Sequence, residues 1–122
     1  MELEPLRRDL LARPGTTEET PFGPEALVYK VMGKMYVLLA WDQDPMHITL
    51  KCDPDLALFL RDMYPAVRPG RYMHKAHWNT ITMDGSVPDP ELMSMIQDSY
   101  DLVVKGLSRK LKEQLAQLDQ AG

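Results

Sequence analysis

The sequence predicts an α+β domain of two layers: a five-stranded antiparallel sheet with its helices on one face, in the order α-β(3)-α-β(2)-α. Three observations predict it. Segments with apolar residues every three to four positions alternate with short stretches rich in Val, Ile, Tyr and Leu. Those stretches come in groups joined by a few residues, a spacing that antiparallel strands allow and parallel strands do not. The chain has 122 residues, 44% of them hydrophobic, which is enough for one core and one main domain.

Residues 3–12 read as a short helix, because Leu3, Leu6 and Leu10 share a face and Pro14-Gly15 ends it. Residues 16–24 carry Thr, Glu, Pro and Gly without an apolar period and read as a loop. Strands are predicted over 26–32 and 34–40, joined at Met32-Gly33, where glycine supplies the positive φ of a tight hairpin. Asp42-Gln43-Asp44-Pro45 is a turn, and 47–52 alternates polar with apolar, as a half-buried strand does.

Asp53-Pro54-Asp55 opens a helix. Asp53 can accept from a free backbone N–H, Pro54 suits the first helical position, and Asp55 favours the positive end of the dipole. Leu56, Phe59, Leu60 and Met63 are its expected buried stripe, and Pro65 stops it. Residues 68–73 and 77–83 read as a second hairpin, followed by the turn Asp84-Gly85. Asp89-Pro90-Glu91 repeats the helix-opening pattern. Leu92, Met95, Ile96, Val103 and Leu107, with Ser99 between them, then line one face of a long helix, which Gly106 breaks or bends. Residues 1–107 form the domain. Residues 108–122 are a polar extension, expected to be helical from the spacing of Leu111, Leu115 and Leu118.

Cys52 is the single cysteine, which excludes an internal disulfide framework and multi-cysteine metal sites and fits a reducing compartment. The N-terminus lacks the basic-then-apolar order of a secretory signal, and the longest apolar run, 35–41, is far short of a membrane helix. A cytoplasmic protein with no membrane partner is expected. Nine methionines against two Phe and two Trp point to a tolerant core rather than a Met-lined groove.

Charge is unevenly spread. The net charge is −4, yet from 63 to 83 the only charged residues are Arg68, Arg71 and Lys75. From 26 to 41 they are Lys30 and Lys34 alone, and Lys51 adds one more on the third strand. The acids sit in the helices and loops: 84–104 sums to −5. Strands disfavour Asp and Glu, which accounts for the missing acids but not for the retained bases. A local positive field can attract a polyanion despite a negative total, and a β-ribbon can enter a DNA groove.

The stretch 72–79 gathers basic, imidazole, aromatic and amide side chains. Lys75 can contact phosphate, and Asn79 a phosphate or base edge. Trp78 can stack on an unpaired base, although a strand indole is expected to pack inward. If Lys75-Ala76 is the turn tip, His74 and His77 face each other. Two imidazoles fall short of the three protein ligands usual for zinc, so no metal is expected. There is no glycine-rich phosphate loop, GxSxG elbow or HExxH helix. Asp53 and Asp55 are explained by capping and Cys52 as a buried thiol, so no catalytic residue and no cofactor are predicted.

Several ordered stretches resemble the MmcQ/YjbR family: Phe22-Gly23-Pro24, Val28-Tyr29-Lys30-Val31, Gly33-Lys34-Met35, Leu50-Lys51-Cys52-Asp53-Pro54, Tyr64-Pro65, Arg68-Pro69-Gly70, Lys75, His77-Trp78-Asn79-Thr80, Asp84-Gly85 and Ser99-Tyr100-Asp101-Leu102-Val103. The most specific are LKCDP, then RPG, then HWNT. The resemblance runs over about 3–107 and implies a YjbR-like α-β(3)-α-β(2)-α fold, similar to that of type III secretion chaperones. It also implies a non-enzymatic, bacterial DNA-binding protein with a double-wing motif. His74 departs from the Asn that many relatives carry before the lysine.

The expected DNA contacts are Lys30, Lys34, Lys51, Arg68, Arg71, Lys75, His77 and Asn79. The alternative is a protein-interaction or chaperone-like adaptor without nucleic-acid binding, in keeping with the acidic total and the amphipathic tail. Monomer and homodimer both stay open.

Overall fold

The computed structural model describes residues 1–70 and 73–121. The elements are α1 (Leu3–Leu11), β1 (Thr16–Glu19), β2 (Ala26–Val31), β3 (Lys34–Ala40), β4 (His47–Lys51), α2 (Pro54–Met63), β5 (Val67–Pro69), β6 (Trp78–Thr82), α3 (Asp89–Lys105) and α4 (Arg109–Ala121). One antiparallel sheet runs in the order β1-β2-β3-β4-β6-β5.

The sheet has six strands rather than five, because Thr16–Glu19, expected as loop, pairs with β2 from Thr16 opposite Val31 to Glu19 opposite Val28. This edge strand has no apolar alternation to betray it. Its inward side chains are polar and find polar partners. The Thr16 hydroxyl shares a 2.9 Å hydrogen bond with that of Tyr36. Glu18 accepts from Arg7 of α1 at 2.9 and 2.7 Å and from the Tyr29 hydroxyl.

Alternation along the strands puts Leu27, Tyr29, Leu39, Ile48 and Ile81 on the helix side, and all are core residues. The Met32-Gly33 turn has φ of 50° and 84°, so both of its residues are left-handed, as a two-residue hairpin with matching twist requires. Between β2 and β3 the register skips one residue: Tyr29 faces Val37 while Lys30 faces Met35. The extra residue, Tyr36, is a β-bulge, and Tyr36 and Val37 are both fully buried. Ser99 of α3 meets the backbone there. Its hydroxyl donates to the Tyr36 carbonyl at 2.6 Å and accepts from the Lys51 N–H at 2.9 Å.

The long helix buries Leu92, Met95, Ile96, Ser99 and Val103, as its spacing predicts, buries Tyr100 in addition, and ends at Gly106. Its start differs from expectation. Pro88 holds the N-cap position and no side chain caps the helix, so Asp89 lies inside the first turn instead. In α2 the expected cap is present: Asp53 accepts from the N–H groups of Asp55 and Leu56. Its buried stripe, however, is not the expected one. Ala57 is buried and Leu60 half-buried, while Leu56, Phe59 and Met63 are 37%, 55% and 52% exposed. The helix turns its smallest apolar side chain to the sheet, which lets it lie close to Asn79.

The C-terminal extension forms α4 and rejoins the core through Leu115. A Cβ at Gly15 (φ 71°) would stand 2.8 Å from a Leu115 methyl and 3.0 Å from the Met32 sulfur, so α4 and the β2–β3 turn meet at that glycine. None of the helices described is long and apolar enough to cross a membrane.

Candidate nucleic-acid interface

The sheet face away from the helices carries the side chains that alternate with the core set. Register sets them in rows: His47 beside Thr82, Thr49 beside Thr80 and Arg68, Lys51 beside Trp78. The Thr49 and Thr80 hydroxyls share a 2.8 Å hydrogen bond, and Arg68 donates to the Thr82 hydroxyl at 3.2 Å. Trp78 therefore does not pack into the core as expected. It is half-buried on the uncovered face, next to Lys51.

The connection from β5 to β6 begins with a close approach. The Gly70 N–H donates to the Trp78 carbonyl at 2.8 Å, and a Cβ at Gly70 would lie 2.8 Å from that of Trp78. Any other residue would push the two chains apart. The connection ends in a turn closed by the His77 N–H on the His74 carbonyl at 3.0 Å, with Lys75-Ala76 at its tip. The two imidazoles are 4.9 Å apart. Among the described residues, no third His, Cys, Asp or Glu joins them in a metal-sized group.

Arg61, which the sequence reading passed over, fixes this segment from α2. Its guanidinium donates to Asn79 Oδ1 at 2.7 Å, to the Trp78 carbonyl at 3.3 Å and to the Lys75 carbonyl. The Asn79 amide in turn donates to the Ala57 carbonyl at 3.4 Å. Asn79 is only 2% exposed and faces the helices. Its expected contact with DNA is therefore corrected: the amide is consumed inside the protein and cannot reach a partner. His77 is half-buried, and its carbonyl accepts from the Cys52 N–H at 2.7 Å.

Two hollows open on the uncovered face. One, about 460 Å³, is lined by His47, Arg68, Pro69, Lys75 and Thr80. The other, about 210 Å³, is lined by Leu38, Ala40, Gln43, His47, Thr49, Met73 and Thr80. They share His47 and Thr80, and none of the described residues that line them is a carboxylate. A larger hollow of about 760 Å³ lies between β1, the β2–β3 turn and α4, but among its described lining residues Asp119 is the one that carries charge. It offers nothing to an anion.

The predicted basic residues divide accordingly. Arg68 and Lys75 converge on one hollow, and Lys51 stands on the same face. Lys34 follows the β2–β3 turn, at the end of the sheet where the β5–β6 connection also lies. Two strand spacings separate them, about 10 Å. Lys30 is on the uncovered face but is held by Glu19 at 3.2 Å. Among the described residues, no ion pair involves Lys34, Lys51, Arg68 or Lys75. Arg71 lies outside the described residues.

Cys52 is 7% exposed, and burial, helped by Asp98 and Asp53, pushes its thiol up to about 11. At neutral pH it is a thiol, a weak nucleophile.

A family model described as YjbR matches residues 11–102. The chain belongs to the MmcQ/YjbR family. Two relatives from Escherichia coli fit that placement. YjbR is 30% identical over 118 residues, covering 97% of this chain and 100% of its own length. YbdF is 37% identical over 90 residues, covering 74% of each. Among solved structures, the Deinococcus radiodurans protein DR2400 superposes with a TM-score of 0.86 at 37% identity, over 91% of this chain and 85% of that one. A Pseudomonas syringae protein gives 0.71 at 27% identity, over 84% and 98%. The MmcQ/YjbR fold thus extends across nearly the whole chain, and the names of these relatives state no activity.

Proposed function

We propose that this protein binds DNA through the uncovered face of its sheet, with Arg68 and Lys75 as the principal phosphate contacts, Lys51 alongside them and Lys34 at the adjoining end of the sheet. The observation that carries the reading is the pairing of Arg68 and Lys75 in one hollow without a carboxylate, in a chain whose net charge is −4. Cations clustered on one face of an acidic protein make a local positive field, and a polyanion meets several of them at once. The two hairpin connections, at the same end of the sheet, fit a double-wing arrangement, and Arg71 would add to the second wing. Lys30, neutralised by Glu19, is a minor contributor, and the reading uses no catalytic group. It places the protein in the cytoplasm with its nucleic acid.

A salt titration tests it. The double variant Arg68→Ala/Lys75→Ala should weaken DNA binding at low salt by at least tenfold and flatten the dependence of log K on log salt by about two counterions. Absence of binding at low salt, or a slope unmoved by the double variant, refutes the reading. A protein-interaction role is the second reading, and the exposed row of Leu56, Phe59 and Met63 on α2 favours it.

A further inference from the structure

The two hollows on the uncovered face lie side by side across His47 and Thr80 and form unlike halves of one concave surface. The half around Arg68 and Lys75 is cationic. The described residues of the half beyond His47 and Thr80 are uncharged, with Leu38, Ala40 and Met73 as apolar wall and Gln43 and Thr49 as hydrogen-bonding edge. We infer that this hollow seats one unpaired nucleotide, its phosphate on Arg68 and Lys75 and its base in the neutral half. The inference rests on the nucleic-acid reading and narrows it to unpaired strands.

Two features carry it. First, the cationic half alone has about 460 Å³, within the range of roughly 300–1,000 Å³ usual for small-ligand sites. A concave site of that size admits a splayed-out nucleotide, whereas a duplex offers a convex backbone and keeps its bases stacked inside. A duplex would engage Arg68 and Lys75 and leave the neutral half vacant. Second, apolar wall and amide or hydroxyl edge are what an exposed base needs: a surface to lie against and partners for its Watson–Crick edge. Gln43 provides both a donor and an acceptor. The Thr49 and Thr80 hydroxyls, bonded to each other at 2.8 Å, have lone pairs to spare.

The experiment uses the full chain, three fluorescently labelled probes (a ten-nucleotide oligo-dT, the corresponding oligo-U and a ten-base-pair duplex) and two unlabelled competitors, thymidine monophosphate and inorganic phosphate. Oligo-dT should bind at least tenfold more tightly than duplex, with a log–log salt slope of about −1.4 for two phosphates. Thymidine monophosphate at millimolar concentration should displace it, and inorganic phosphate at the same concentration should not. Oligo-U binding equally shows that the strand is read without its 2′ position, and oligo-U binding more weakly assigns the site to DNA; both keep the nucleotide in the hollow.

Gln43→Ala and Met73→Ala should each weaken oligo-dT about five- to twentyfold with an unchanged salt slope, because neither removes a cation. Lys75→Ala should instead reduce the slope by about 0.7. Gln43 is exposed, so its variant folds irrespective of any effect at Met73. Duplex binding as tight as oligo-dT, or Gln43→Ala and Met73→Ala both without effect, overturns the inference while DNA binding stands. Displaceable thymidine monophosphate binding without any strand binding upholds the hollow's ligand and removes the DNA reading. No binding of any probe removes both.

Discussion

Arg61 decides more about the candidate interface than several residues on its surface. It joins α2 to three acceptors on the segment that carries Lys75, and one of them is the buried Oδ1 of Asn79. Arg61→Ala should cost about 2 kcal/mol in urea unfolding, because a buried acceptor loses its partner. Arg61→Lys should restore little of it, since one ammonium cannot span three oxygens as a guanidinium does. Equal stability of Arg61→Ala and the parent chain contradicts this account. At this scale the sequence was read unevenly. Lys75 and the facing of His74 and His77 follow from a four-residue turn. Asn79 was placed at the surface because an amide beside a tryptophan looks the same from either side of a sheet. Only its register opposite Leu50 shows that it points toward α2.

Elements were more legible than contacts, with two instructive exceptions. Strands with apolar alternation, such as 47–51, declare themselves, and so does a helix as periodic as α3. β1 does not, because its inward residues are Thr16 and Glu18 rather than apolar ones. α2 shows the converse: four apolar residues at helical spacing suggested its buried face, yet Ala57 took it, since a short helix over a narrow sheet edge is positioned by close approach and not by bulk. The polar inward face of β1 also makes the α1–β1 contact sensitive to acid. Arg7 and, more weakly, the Tyr29 hydroxyl hold the Glu18 carboxyl below its ordinary value. The folded chain therefore binds fewer protons at Glu18 than the unfolded chain does. The contribution is complete above the unfolded value of about 4.3 and is lost as pH falls through the lowered folded value. Glu18→Gln should thus be clearly less stable than the parent chain at pH 7, and the gap should shrink as pH falls below about 4.3. A gap that stays constant with pH would show that the pair's charge is immaterial.

For the whole molecule, the separation of charge seen in the sequence becomes a separation of faces. Lys30, Lys51 and Arg68 lie on the uncovered side of the sheet, while Asp98 and Asp101 lie on α3, on the other side. Asp98→Asn/Asp101→Asn should therefore change DNA affinity by less than about twofold at 0.15 M salt, where fields are screened beyond roughly 8 Å. An increase of tenfold or more would mean that total charge, and not the basic face, governs binding. The fold itself was accessible from pattern and from ordered short motifs, because helix and strand periods survive without coordinates. The hollow was not. It needs Met73 and Lys75, from one connection, to lie over Leu38 and Thr80, from strands distant in sequence.

The strand order has one more consequence, for how this sheet meets other chains. Its two borders are β1 and β5. A border strand shows unpaired N–H and C=O groups that invite a neighbour to add on. Here one border carries Glu19 on its outward side, and the other is three residues long and ends in Pro69, which has no N–H to donate. Both borders resist lengthening of the sheet from one molecule into the next. Crowded copies of this protein should stay dispersed rather than zip into ribbons, and whatever binds it must come to a face.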